Sequence, residues 1–473
     1  MKIQKGELLN ALKTITPYTG KTRVELTQSI LVDGPGQKLM ATNFDVYALV
    51  AIACLDPFKQ VERPLIPADR MDREDLEDLL VDQLKAMADY ALTPEQLAEL
   101  RKSKPKKEAI IDAIYTASET AADNADTAAA SQPKTIKAGE KFIVNPKILA
   151  AMVKSLDVKD DVMIDLDITT FTFDQNGNCA PSILQVGGLF KTIPVGDPLN
   201  FPDMPTGDSL FDYGKEDEDM TLARAVKIDG NTMAKIAAVP VSSKDDKRTH
   251  VNVVYFDPKN GAIVGTDGSR MHVKKTAFTA GEHGFMLNAK AMAAAAKIAG
   301  GKDIEIFVNP NATWVKAEVP GAGLSIVARN DVDLQFPRYD EIIARAEEFG
   351  LKVSFSGEKL TLSPVEQAVI LASEKYRGIV MNFNGGLDVA CCNPESGEYE
   401  RTNIESDGHV DPPHTLALNG RYLLDAIKGM ETVEIRMKET EEDENGQHKI
   451  DAPVFFTSPN VEGFTALVMP MRM

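Results

Sequence analysis

The chain has 473 residues, 43% hydrophobic and 26% charged, too long for one ordinary core and so expected to fold as two to four domains. A net charge of −19 excludes a protein that is basic over its whole surface. No apolar run approaches the ~20 residues of a membrane span. The four cysteines form no CxxC pair and the six histidines no HExxH, so neither a disulfide scaffold nor a metal or other cofactor is expected.

The opening "MKIQKGELLNALK" (1–13) reads as a short strand followed by a helix. It lacks the apolar core of an export signal, which places the expected location in the cytoplasm, with no membrane partner. Residues of about 59–134 are helical in pattern and charged, and end in the low-complexity "TASETAADNADTAAASQPK" (116–134). The next element is "FIVNPKILAAMVK" (142–154). Asn145 is a favoured helix cap and Pro146 suits the first helical position. At about 100° per residue, Leu149, Met152 and Val153 share one face, while Lys147 and Lys154 lie on the opposite one. A strand-like run, "DVMIDLDITTFTFD" (161–174), follows.

The chain then repeats itself. "VKIDGNTMAKIAA" (226–238) is again strand then helix, and "FMLNAKAMAAAAK" (285–297) places Lys290 and Lys297 opposite Met292, Ala295 and Ala296. The strand-like "DIEIFVNPNATWVKAEV" (303–319) comes after it. A third copy has "KVSFSGEKLTLSPVEQAVILA" (352–372), then "LALNGRYLLDAIK" (416–428), with Arg421 and Lys428 opposite Leu423, Ala426 and Ile427, then "TVEIRMKE" (432–439). Two copies close alike, with "LNFPDM" (199–204) and "LQFPRY" (334–339). One cation opposite an apolar stripe is an ordinary solvated face, but solvation does not fix the same spacing three times. The repeat predicts three α+β domains of one design, at 1–214, 215–345 and 346–473. From opening Lys to capping Asn the first copy is longer than the others by roughly 80 residues, which marks the helical insertion at about 59–134. The acid gathers in loop-like runs such as "KEDEDM" (215–220) and "ETEEDENG" (439–446), away from the basic phrase.

On this threefold repeat, "GTDGSRMHV" (265–273), "FPRYDEII" (336–343), "AVILASEKYRGIVM" (368–381), "CCNPESGEYE" (391–400), "LNGRYLLDAIKGM" (418–430) and "ALVMPMRM" (466–473) occur in order. In these pieces the chain resembles the bacterial-type DNA sliding clamps, the beta subunits of replicative DNA polymerases. The resemblance covers all three repeats and omits the insertion. It implies a head-to-tail homodimeric ring with antiparallel sheets outside and helices lining the hole. The implied role is a non-enzymatic processivity factor that encircles double-stranded DNA without reading sequence. Its partners would be the replicative polymerase, other proteins with clamp-binding peptides, and an ATP-dependent clamp loader, since no GxxxxGK[ST] loop is present. The alternative is a clamp-fold adaptor or decoy that binds such peptides without encircling DNA.

The resemblance carries a partner-peptide pocket onto Val251, Thr266, Gly268, Arg270, Met271, Pro337, Ile342, Asn419, Tyr422, Leu467, Met469, Pro470 and Met471. Read alone, "VMPMRM" is a terminal strand packed in a core and "TDGSR" a tight turn. Ser269 and Glu341 depart from the family at the rim: a larger polar residue and a basic residue are usual there. DNA-facing positions would be Lys21, Arg248, Lys274 and Lys275, besides the helix cations Lys147, Lys154, Lys290, Lys297, Arg421 and Lys428. The ring interface would use Ile370, Leu371 and Tyr376 against Leu189 or Phe190. In the insertion, "LTPEQLAELRKSKPKKEAIIDAI" (92–114) resembles a small helix–loop–helix nucleic-acid-binding module, and also reads as a solvated surface appendage.

Overall fold

The computed structural model describes residues 2–20, 28–33, 36–43, 46–55, 106–113, 141–169, 182–186, 189–195, 201, 222–241, 252–330, 335–356, 364–372, 378–393, 397–405, 410–442 and 447–471. Lys21, Arg248, Val251 and Tyr376 lie outside them, as does the insertion apart from 106–113. The chain divides into two compact units, Met1–Met204 and Pro205–Met473.

In the first unit, β1 (Lys2–Gln4) runs directly into α1 (Lys5–Ile15). Leu8, Ala11, Leu12 and Ile15 recur at helical spacing and are buried. The strands β2 (Ile30–Asp33), β3 (Lys38–Thr42), β4 (Tyr47–Ala51) and β5 (Cys54–Leu55) come next. The insertion separates β5 from β6 (Lys141–Val144); its described part is helical over 107–113, with Ile110 and Ile111 buried. Then come α2 (Pro146–Lys154), β7 (Met163–Thr169), β8 (Ser182–Val186) and β9 (Leu189–Val195). The strands pair antiparallel in the orders β4-β3-β2-β6 and β5-β1-β7-β8-β9. The buried Lys5 ammonium ties the chain after α2 to the N-terminus, donating to the carbonyls of Leu156 at 3.0 Å and Val158 at 2.7 Å. Those carbonyls satisfy a charge that would otherwise be costly to bury.

The second unit contains the same order of elements twice, except that the second set has one additional two-residue strand, His448–Lys449, after its second helix. The first set is β10 (Ala223–Asp229), α3 (Gly230–Val241), β11 (Val253–Asp257), β12 (Ala262–Thr266), β13 (Arg270–Lys275), β14 (Phe285–Asn288), α4 (Ala289–Ala299), β15 (Asp303–Val308), β16 (Trp314–Val319) and β17 (Leu324–Arg329). A connector helix, α5 (Tyr339–Arg345), leads to the second set. That set is β18 (Leu351–Ser356), α6 (Glu366–Leu371), β19 (Gly378–Phe383), β20 (Leu387–Asn393), β21 (Gly397–Ile404), β22 (His414–Asn419), α7 (Gly420–Ile427), β23 (Thr432–Met437), β24 (His448–Lys449), β25 (Val454–Thr457) and β26 (Phe464–Val468).

One sheet spans both sets, in the order β14-β11-β12-β13-β26-β25-β23-β18. Its seam is β13 against β26, antiparallel, with Arg270 opposite Val468 and Met271 opposite Leu467. The connector lies on this sheet. Tyr339 and Phe349 are buried with Val264, Met271, Phe455 and Leu467 in one cluster, and Phe336 stacks on Tyr255 at 4.5 Å between ring centroids. The Tyr339 hydroxyl donates to Asp257 at 2.7 Å, and burial followed by that carboxylate pushes the phenol well above its ordinary range. The α+β architecture with antiparallel sheets is therefore the one the repeat implied; β22 with β24 is a short parallel pairing.

Candidate functional site

Three helices carry the repeated phrase, and each begins on its asparagine. The Asn145 side chain accepts from the Lys147 and Ile148 amides at 3.0 and 3.4 Å, Asn288 from Ala291 at 3.1 Å, and Asn419 from Arg421 and Tyr422 at 3.1 and 3.4 Å. Each cap satisfies amides that the first turn leaves without helical partners. The apolar positions turn inward: Leu149 and Val153 in α2, Met292, Ala295 and Ala296 in α4, and Leu423, Ala426 and Ile427 in α7 are buried. Met152 is half-buried. Lys147, Lys154, Lys290, Lys297, Arg421 and Lys428 are all exposed. A fixed cap and a fixed buried stripe thus leave a pair of cations on the solvent face of each helix.

At the β13–β26 seam a second arrangement forms. The turn between β12 and β13 is closed by Asp267, whose Oδ1 accepts from the Ser269 and Arg270 amides at 2.9 and 3.0 Å, while Gly268 takes a φ of 84°. A residue with a Cβ is strained in that conformation. The turn delivers Arg270 inward, where it is 2% exposed. Its guanidinium donates to Asp267 at 3.1 Å and to Asp425 of α7 at 2.5 Å, and lies over the Tyr422 ring at 4.2 Å. Three partners make the buried cation tolerable.

Around this clasp stand most of the predicted pocket positions. Thr266 is buried and its hydroxyl donates to the Arg270 carbonyl at 2.9 Å. Met271 and Leu467 face each other across the seam and are 4% exposed. Beyond β26, the Met469 amide donates to the Ser269 carbonyl at 2.9 Å and the Met471 amide to Ala417 at 2.8 Å, which holds Pro470 between two fixed points. Met469 and Ile342 are exposed, as is Pro337 before α5. Asn419 caps the helix that bears Tyr422. Glu341 pairs with Arg338 at 3.0 Å, both exposed.

The remaining positions are dispersed. Lys274 donates to the Glu462 carbonyl, and Lys275 to the Asn260 carbonyl at 3.1 Å. Ile370 of α6 is 78% exposed, and Leu371 is half-buried. Leu189 and Phe190 lie at the start of β9.

Sequence reading missed Asp425. The signal was present: Tyr422 and Asp425 are three apart on α7 and so share a face. His272, on β13, is another buried polar group at the seam. The ring is fully buried, its Nδ1–H donates to the Lys235 carbonyl at 2.9 Å, and its edge meets Phe464. Burial pushes its pKa down to about 4, so the imidazole is neutral. Lys235, over the Phe464 ring, is also lowered, chiefly by burial. Among the described residues no group of three or more His, Cys, Asp or Glu is placed to hold a metal, and no helix is long and apolar enough to cross a membrane.

Comparison with known proteins gives a consistent result. Residues 346–472 match the family described as DNA polymerase III beta subunit, C-terminal domain. A beta sliding clamp of Proteus mirabilis is 24% identical over 294 residues, which is 60% of this chain and 71% of that protein. Two crystal structures of sliding clamps align over 100% of the chain: that of C. crescentus, at 17% identity and TM-score 0.65 over 98% of its length, and that of Pseudomonas aeruginosa DNA polymerase III subunit beta, at 17% identity and TM-score 0.62 over 99%. The shared architecture is the sliding-clamp fold.

Proposed function

We propose that this chain, a bacterial-type sliding clamp in fold and in the sequence of its C-terminal domain, is a processivity factor for DNA replication. Two copies close a ring of six domains, three per chain at 1–214, 215–345 and 346–473. The ring encircles duplex DNA, slides on it, and tethers a replicative polymerase and other partners through the pocket at the β13–β26 seam. It does no chemistry of its own, and an ATP-dependent loader opens it.

The observation that carries this reading is the set of three capped helices with paired, exposed cations on a chain of net charge −19. Cation pairs repeated at the same place on one kind of helix direct the phosphate backbone to that surface, and a net acidic remainder repels it. Contacts to phosphates alone carry no sequence information, so they permit sliding.

The strand order supports the homodimer. Inside the second unit, the third strand after the first helix of one repeat (β13) pairs with the last strand of the next (β26). The equivalent strands left at sheet edges are β21 and β9. Repeating the same join between copies sets β21 of one beside β9 of the other and covers edges that would otherwise invite aggregation. Ile370, exposed on a helix packed against β20 and β21, suits that interface.

The pocket supports tethering. Exposed Met469 and Ile342 beside buried Met271 and Leu467 offer an adaptable apolar floor, and burying one Leu or Phe of a partner is worth about 1.5–3 kcal/mol. Sedimentation at several concentrations, with negative-stain images, tests the ring. Twice the chain mass of 51.5 kDa with a central hole is expected. A monomer without rings would overturn the encircling clamp in favour of the adaptor.

A further inference from the structure

The strand β24, which only the second set has, lies parallel to β22 and sets His448 opposite His414. The two imidazoles meet there, with ring centroids 4.9 Å apart and planes tilted by 34°. A backbone carbonyl fixes each ring. His414 Nδ1–H donates to Pro412 at 2.6 Å, and His448 Nδ1–H donates to Thr440 at 2.7 Å. A carbonyl can only accept, so each neutral ring carries its proton on Nδ1 and keeps the Nε2 lone pair free. Metal-binding histidines are held in this way, one nitrogen on a carbonyl and the other left to the ion. His414 is 2% exposed, and its Nε2 is buried with no hydrogen-bond partner among the described residues. The hydroxyl of Thr440, the residue whose carbonyl holds His448, is another such atom. Buried polar atoms left without partners are costly. His448 is half-buried, which gives an ion an approach from solvent. Glu442, exposed and bridged to His448, adds negative charge on that side, while Lys449, the next residue of β24, alternates to the opposite face. Among the described residues no third His, Cys, Asp or Glu joins the pair as a ligand. Two imidazole nitrogens, with water in the other positions, suit copper(II) or nickel(II) rather than magnesium or calcium.

We propose that His414 and His448 form a two-imidazole site for a divalent ion of the copper or nickel class, which staples β24 to β22. The staple bears on the C-terminal repeat, because β22 ends at Asn419, the cap of α7, and its Ala417 carbonyl accepts from the Met471 amide. Copper(II) titrated into the chelator-treated full chain tests this. One tightly held ion per chain is expected, with an electron paramagnetic resonance spectrum split by two imidazole nitrogens. The urea midpoint should be higher with the ion than without it, because the ion binds only the folded pair. His448→Gln, at a half-buried position, should weaken uptake by at least about tenfold, whereas His283→Gln, at an exposed position, should leave it unchanged. Equal uptake by His448→Gln and the unaltered chain would overturn the site, as would a spectrum with fewer than two coupled nitrogens. No uptake by the unaltered chain would overturn it too, and would leave the buried Nε2 to water. The spectrum of the unaltered chain decides the matter even where the variant fails to fold.

Discussion

Helices α4 and α7 are two copies of one phrase, and they differ where it matters for the pocket. Both begin on a capping asparagine, bury an apolar stripe and expose two cations seven residues apart. At the third and sixth residues after the cap, α4 has Ala291 and Ala294, whereas α7 has Tyr422 and Asp425. Those two side chains hold Arg270 across the seam. What the copies share is what every repeat must do, namely start a helix, pack it and present charge. What one copy adds is a local site. In a repeat protein, the departures from the phrase are as informative as the phrase.

The largest test of that difference removes the clasp. Arg270→Ala leaves the buried Asp267 carboxylate with backbone amides but no cation, and should destabilise the second unit by about 3–5 kcal/mol, read from urea unfolding. Lys290→Ala on α4, exposed, should stay within about 0.5 kcal/mol. Equal losses would erase the distinction between the helices.

Acid should strain the seam next. His272 sits on β13, neutral, with its pKa pushed down to about 4 from 6.5. The unfolded chain takes up that proton first, so stability is full above pH 6.5, falls as the pH drops toward 4, and loses nothing more from this group below it. The loss is about 3 kcal/mol. Urea midpoints across this range should show that part of the slope vanish in His272→Gln.

The caps should behave alike, because they belong to the shared phrase. Asn288→Ala and Asn419→Ala are each expected to cost about 1 kcal/mol. A much larger loss at Asn419 would mean that the cap also holds the clasp. Smallest in stability, within about 0.5 kcal/mol, is the double change Lys290→Glu with Lys297→Glu. It should nevertheless weaken retention on DNA, and undiminished retention would remove the electrostatic role of these helices.

The sequence made the repeated helices legible because caps, helical periodicity and charge spacing are local. Asn145, Asn288 and Asn419 could be identified without knowing what they pack against. The connector helix α5 was harder, since "RYDEIIAR" has few apolar residues and is held by long-range contacts, Tyr339 to Asp257 and Phe336 to Tyr255. The clasp was harder still. Arg270 and Asp425 are 155 residues apart, and only the β13–β26 pairing brings them together.

Encirclement sets a topological clamp apart from an ordinary DNA-binding protein, and retention on blocked DNA detects it. The protein is threaded onto linear duplex, both ends are capped with a bulky protein, and unbound chain is removed in salt high enough to suppress ordinary phosphate binding. Encirclement predicts that the protein stays on the doubly capped duplex and is lost when one end is cut free. Retention that is the same with capped and open ends would contradict it.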